Sequence, residues 1–150
     1  AGPVAPLDGA VSVRASIQTW LKAGIAPAKL LLGVPYYGYD WPTRDDTQGS
    51  ATTGSGRSVP YENAQADAAQ YGRNWDPASS SPWYAYSTES GWRQAWYEDA
   101  QSLGAKYSVV NAENLGGVAL WALSYDGSRR ELWDALKLAF TTEPGGAPKL

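Results

Sequence analysis

The side chains best suited to chemistry in this 150-residue chain are aromatic, and they gather where two apolar runs end: residues 30–41 (LLLGVPYYGYDW) and 115–126 (LGGVALWALSYD). Tyr37, Tyr39, Asp40 and Trp41 close the first run, and Trp121 lies near the end of the second. Tyrosine and tryptophan join a flat apolar face to a hydrogen-bonding edge. A pyranose has the matching surface, an apolar CH face rimmed by hydroxyls, so buried strands that release such rings at their C-terminal ends suit a sugar-binding mouth. Carboxylates spaced for bond cleavage are missing. Asp45-Asp46 and Glu98-Asp99 are adjacent pairs, and neighbouring strand residues point to opposite faces.

Composition narrows the field further. Eight tryptophans and ten tyrosines stand against one phenylalanine, a balance that favours rings with a polar edge, although many such rings serve as ordinary packing. With no cysteine and no histidine, a disulfide framework, a thiolate or imidazole metal site and a Ser-His-Asp triad are all excluded. Neither a metal nor an organic cofactor is expected. The net charge of −3 argues against a nucleic-acid partner, which would be met by a basic patch. No apolar stretch is long enough to cross a bilayer, and the N-terminal AGPVAPLDGA has neither the charge nor the apolar core of a secretion signal.

The elements that must position these residues read as α/β within one domain. Apolar spacing predicts a helix over residues 11–23, stopped by Gly24, and then a buried parallel strand over 29–35. A polar loop follows over 42–58. A short helix is expected from Tyr61 to Tyr71, ended by Gly72, and then strands over 73–76, 83–87 and 92–97. Together these make a small antiparallel insertion spanning about residues 42–97. A helix opens at Glu98 and runs to Gly116-Gly117, a second buried strand begins there, a last helix covers 128–140, and residues 141–150 read as a Pro/Gly linker or tail. Period-two alternation puts Gly33, Pro35, Tyr37 and Tyr39 on one face and Tyr36 on the other, toward the helices. In the second strand Gly117, Ala119, Trp121 and Leu123 share a face.

This order of motifs resembles the C-terminal portion of a glycoside hydrolase family 18, or chitinase-like, catalytic domain. The likeness rests on GPVAPL, LLLGVPYYG, the Tyr61-Glu62 pair, GW…YEDAQSLGAKY and GGVALWALSYD in register over nearly the whole chain. GYDW and WALSYDG look most like the bacterial peptidoglycan- and spore-cortex-acting branch. The resemblance implies the last two parallel strands and flanking helices of a (β/α)8 TIM barrel, with an α+β insertion, over residues 1–140. It also implies a β-1,4-linked N-acetylglucosamine polymer, chitin or peptidoglycan, as the glycan partner, and an extracellular or cell-wall location. Trp121 would floor the subsite of the sugar whose bond is broken, or else serve as core. Tyr39 stands where many family members carry arginine.

Other candidates keep two readings. Asp40 either accepts sugar hydroxyls or caps a turn. Trp83, Tyr84 and Tyr86 are expected to alternate, with Tyr84 set apart from the other two, one set walling a groove and the other packing inward. Glu62 reads as a helix-start charge rather than a ligand contact. Family 18 chemistry needs a glutamate at the end of an Asp-x-Asp-x-Glu run, and this chain contains none. No catalytic residue is therefore assigned, and the chain alone is expected not to hydrolyse glycans. The possibilities are a sugar-holding part completed by upstream barrel strands, an inactive sugar-binding module or lectin, and a structural segment that self-associates through its open strand edges.

Overall fold

The computed structural model describes residues 1–141, so the expected tail lies outside the described residues apart from Thr141. Ser12 sets the start of helix α1 (Val13–Lys22) by accepting a hydrogen bond from the Ala15 N–H at 3.2 Å, which satisfies an otherwise orphaned donor. Val11 precedes the cap and stays 88% exposed. The helix is therefore shorter at its start than the apolar spacing predicts. Val13 and Ile17 bury against Leu7, Val109, Val110 and Leu115. A 3-10 turn over Pro27–Lys29 then leads into strand β1 (Leu31–Pro35).

Two sheets follow. Strand β1 pairs in parallel with β7 (Gly117–Trp121), with Leu31 opposite Gly117 and Pro35 opposite Trp121. The other sheet is antiparallel and contains β2 (Tyr37–Thr43), β3 (Arg57–Pro60), β4 (Asn74–Asp76), β5 (Ser81–Thr88) and β6 (Gly91–Trp96), in the order β3-β2-β6-β5-β4. The insertion thus begins at Tyr37, not near residue 42, and the polar loop shrinks to the stretch between Thr43 and Arg57. The reason is cross-strand pairing: Tyr39 lies opposite Trp96 and Thr43 opposite Trp92, a partnership that residues 37–43 do not reveal on their own.

Helix α2 (Tyr61–Tyr71) ends at Gly72, whose φ of +94° suits a residue without Cβ. It covers one face of the antiparallel sheet, packing Tyr61, Ala64 and Ala68 into a core with Tyr84 and Ala95. Helix α3 (Ala100–Ala112) starts later than the expected Glu98, because Asp99 and Ser102 cap it reciprocally. Glu98 is instead buried, its carboxylate 2.7 Å from Lys106 Nζ. Helix α4 (Glu131–Phe140) begins after a turn region, three residues past the expected start.

The main core is built around phenols. Tyr36, Tyr61, Tyr84, Tyr97 and Tyr107 are all almost fully buried beside Val34, Leu103 and Leu132. Burial pushes the Tyr61 hydroxyl up to about 12 and raises the other four for the same leading reason. The folded state therefore keeps protons that the unfolded chain releases from about pH 10. This stability is complete below that pH and is lost as the pH rises through about 12. A spectrophotometric titration should show a late class of tyrosines ionising together with the loss of far-ultraviolet circular dichroism. Ionisation of all ten tyrosines in one early step, with the fold intact, would contradict this account.

Candidate functional site

Strand β2 carries different chemistry on its two sides. Tyr37, Tyr39 and Trp41 point one way and Gly38 and Asp40 the other. On the first side the rings touch in sequence. Tyr125 meets Tyr37 edge-on at 6.4 Å between centroids, Tyr37 meets Tyr39 at 6.2 Å, and Tyr39 stacks on Trp41 at 5.3 Å and 23°. Four rings thus form one row. Gly56 holds its end, since the Trp41 ring occupies the space a Cβ there would need. Tyr125 was not singled out from the sequence; its place in the aromatic end of the second apolar run was the available signal.

Trp121 ends β7 and is 69% exposed. Its carbonyl accepts a hydrogen bond from the Tyr36 N–H at 2.6 Å, so the row on β2 begins one residue beyond the strand pair that Trp121 closes. The peptide bond from Trp121 to Ala122 is cis. Leu31, Gly33, Ala119 and Trp121 lie on the solvent-facing side of the parallel pair, while Leu32, Val34, Val118 and Leu120 pack on the core. Tyr36 faces the helices, its ring 6.1 Å from that of Trp133 on α4.

The remaining expected contacts are placed differently. Trp83 is buried, stacked on Trp96 at 5.6 Å and 15°. Tyr84 is also buried, on the opposite face, and its hydroxyl donates to Asp67 at 3.1 Å. Tyr84 and Tyr86 share that face, with Trp83 alone on the other, as the pleat repeat requires. The expected grouping of Tyr86 with Trp83 is thereby corrected. Neither Trp83 nor Tyr84 offers an open ring face in this chain. Glu62 is exposed at the start of α2, and its backbone N–H donates to the Tyr125 carbonyl at 3.0 Å. That bond ties the helix to the turn after β7.

Asp40 is buried and committed to protein donors. Arg57 Nε and the Tyr86 hydroxyl each reach its Oδ2 at 2.8 Å, and Arg93 Nε lies 3.0 Å from Oδ1. The carboxylate thus braces three strands behind the aromatic row rather than standing free for a ligand or capping a turn. Arg57 and Arg93 went unremarked in the sequence, and Tyr86 was noted only for its place in the strand alternation, since only register brings all three to Asp40. No group of three or more His, Cys, Asp or Glu able to hold a metal is present among the described residues.

The fold and this surface define an α/β chain that presents polar-edged rings beyond the C-terminal end of a parallel strand. Residues 1–126 match the model of glycosyl hydrolases family 18, and the chain belongs to that family. Human di-N-acetylchitobiase is 29% identical over 143 aligned residues, which cover 79% of this chain and 37% of that protein. A putative sporulation-specific glycosylase of Bacillus subtilis is 30% identical over 129, covering 82% and 28%. The solved family 18 N-acetylglucosaminidase of Paenibacillus barengoltzii superposes with a TM-score of 0.79 at 26% identity, over 93% of this chain and 43% of that one. A solved chitinase of Rhizomucor miehei superposes with a TM-score of 0.76 at 26% identity, over 93% of this chain and 48% of that one. The chain spans 37–39% of the length of the di-N-acetylchitobiases of human, mouse and rat.

Removing the Asp40 carboxylate leaves two guanidinium groups facing each other without a counter-charge. Asp40→Ala should therefore cost about 3 kcal/mol in urea unfolding, as breaking a buried pair does. Arg57→Ala, at a side chain 71% exposed, should cost under about 1 kcal/mol. Equal losses in the two variants would show that Asp40 is not the bracing group.

Proposed function

We propose that this chain is the sugar-holding part of a family 18 glycosidase acting on β-1,4-linked N-acetylglucosamine polymers, chitin or peptidoglycan. In this reading β1 and β7 are the last two strands of a (β/α)8 barrel, and β2–β6 with α2 form an insertion on its rim. One observation carries it. Trp121 stands exposed at the C-terminal end of a parallel strand, the end where such barrels place function, and it is one backbone hydrogen bond from the residue that precedes the aromatic row. Trp121 floors a subsite, Tyr37, Tyr39 and Trp41 extend the stacking surface, and Asp40 keeps their strand in place. Trp83 backs the same sheet face from within, and Tyr84 anchors the sheet to α2.

Proton donation belongs to barrel strands other than these, since no Asp-x-Asp-x-Glu run occurs in the chain. Two features favour partner strands. An apolar groove of about 330 Å³ lies between Gly116–Leu120 and Leu136 and Phe140. Another, of about 310 Å³, runs beside Leu32 and Gly33. Each lies along the parallel pair, whose outer edges have no hydrogen-bonded strand among the described residues. The glycans in question are wall and matrix polymers, which puts the work outside the cell or at its wall. The missing acid run equally favours a second reading, a binding module that keeps the stacking surface without chemistry.

Titration of the chain with N-acetylglucosamine oligomers, followed by tryptophan fluorescence, tests the proposal. Binding is expected, and Trp121→Ala should weaken it about tenfold, the worth of one good ring contact. An unchanged affinity in the variant would refute the role of Trp121. Hydrolysis regained on adding an upstream fragment that carries an acid run would favour the glycosidase; binding without hydrolysis would favour the module.

A further inference from the structure

The other face of the antiparallel sheet carries a second cluster, which the aromatic row does not use. Register places Asp40, Arg57, Arg93, Tyr84 and Tyr86 together there, on the opposite side from Tyr39 and Trp41. Tyr71, the last residue of α2, stacks on Tyr86 at 4.7 Å and 12° and remains 43% exposed. Both arginines share the single carboxylate of Asp40, each through Nε, with Arg57 Nη2 also on that carboxylate and Arg93 Nη2 on the Asp40 carbonyl at 3.2 Å. The Nη1 of each guanidinium makes no protein hydrogen bond among the described residues. Asp67 on α2 accepts from the Tyr84 hydroxyl and forms no salt bridge with either arginine.

The patch therefore joins a ring face to unused donors with a positive charge. A guanidinium has five N–H donors and no acceptor, and its planar fork matches a carboxylate. A neutral pyranose needs acceptors for its hydroxyl protons, whereas here the Asp40 oxygens are already occupied by Arg57, Arg93 and Tyr86. A sugar that carries its own carboxylate complements what remains: its CH face lies on Tyr71 and its anion meets Arg57.

We propose that Tyr71, Tyr86, Arg57 and Arg93 form a second saccharide site, selective for an aminosugar bearing a carboxylate, with N-acetylmuramic acid as the type. The inference rests on the reading above that the chain binds aminosugar polymers, and it favours peptidoglycan over chitin as the polymer.

Calorimetric titration of the whole chain with the disaccharide of N-acetylglucosamine and N-acetylmuramic acid, with its carboxamide, and with di-N-acetylchitobiose tests this. The acid should bind, the carboxamide about tenfold more weakly, and added salt should weaken the acid alone. Arg57→Gln and Tyr71→Ala should each weaken the acid about fivefold or more. Their circular dichroism should stay that of the folded chain, with at most a small fall in melting temperature from the lost brace or stack, and their affinity for di-N-acetylchitobiose should change less than about twofold. Trp121→Ala should do the reverse, reducing chitobiose binding and leaving the acid. Equal binding of acid and carboxamide would overturn the proposal, as would acid binding that Trp121→Ala abolishes and Arg57→Gln spares. Loss of chitobiose binding alone would remove the aromatic-row reading and leave this site standing.

Discussion

The arrangement depends on how Tyr36 is held between the two sheets. Its N–H donates to the Trp121 carbonyl at 2.6 Å and its carbonyl accepts from the Tyr61 N–H at 2.9 Å, while its ring is wholly buried against Trp133. One residue thus fastens the end of β7, the start of β2 and the first turn of α2. Buried backbone groups must find partners, so the chain cannot swing here without losing two hydrogen bonds. The distance between Trp121 and the row on β2 is set by that pin rather than by any contact between the rings.

A second constraint acts from behind the row. Asp40 draws donors from β3, β5 and β6 onto β2, so the strand bearing Tyr37, Tyr39 and Trp41 is braced by charge on its reverse side. The phenolic core continues the theme. Where leucine or phenylalanine could fill the volume, this chain buries tyrosines, tying folding to their protonation as well as to apolar burial.

Much of the fold was legible in residue order because its signals are local. Gly72 stops α2 and the apolar runs mark both parallel strands, each through rules that act within a few residues. The extent of β2 was not legible, because its pairing with β6 joins residues far apart in the chain, Tyr39 with Trp96. The site divides in the same way. Trp121 and the β2 rings could be found from strand ends and alternation. Tyr125 could have been found by the same rule, from the aromatic end of the second run, whereas Arg57 and Arg93 could not, since each gains its meaning from a neighbour across a strand. Trp83 and Tyr84 show the converse: aromatic type alone does not distinguish an open ring from a packed one.

Strand β2 is a two-sided part, with stacking rings in odd positions and the charged brace in an even one. A natural insertion or deletion of a single residue between the Tyr36 pin and Trp41 would turn the carboxylate toward the rings' side and the rings toward α2. Length variation among descendants of this chain is thus confined here to steps of two, or to the loop beyond Thr43, where the alternation no longer matters.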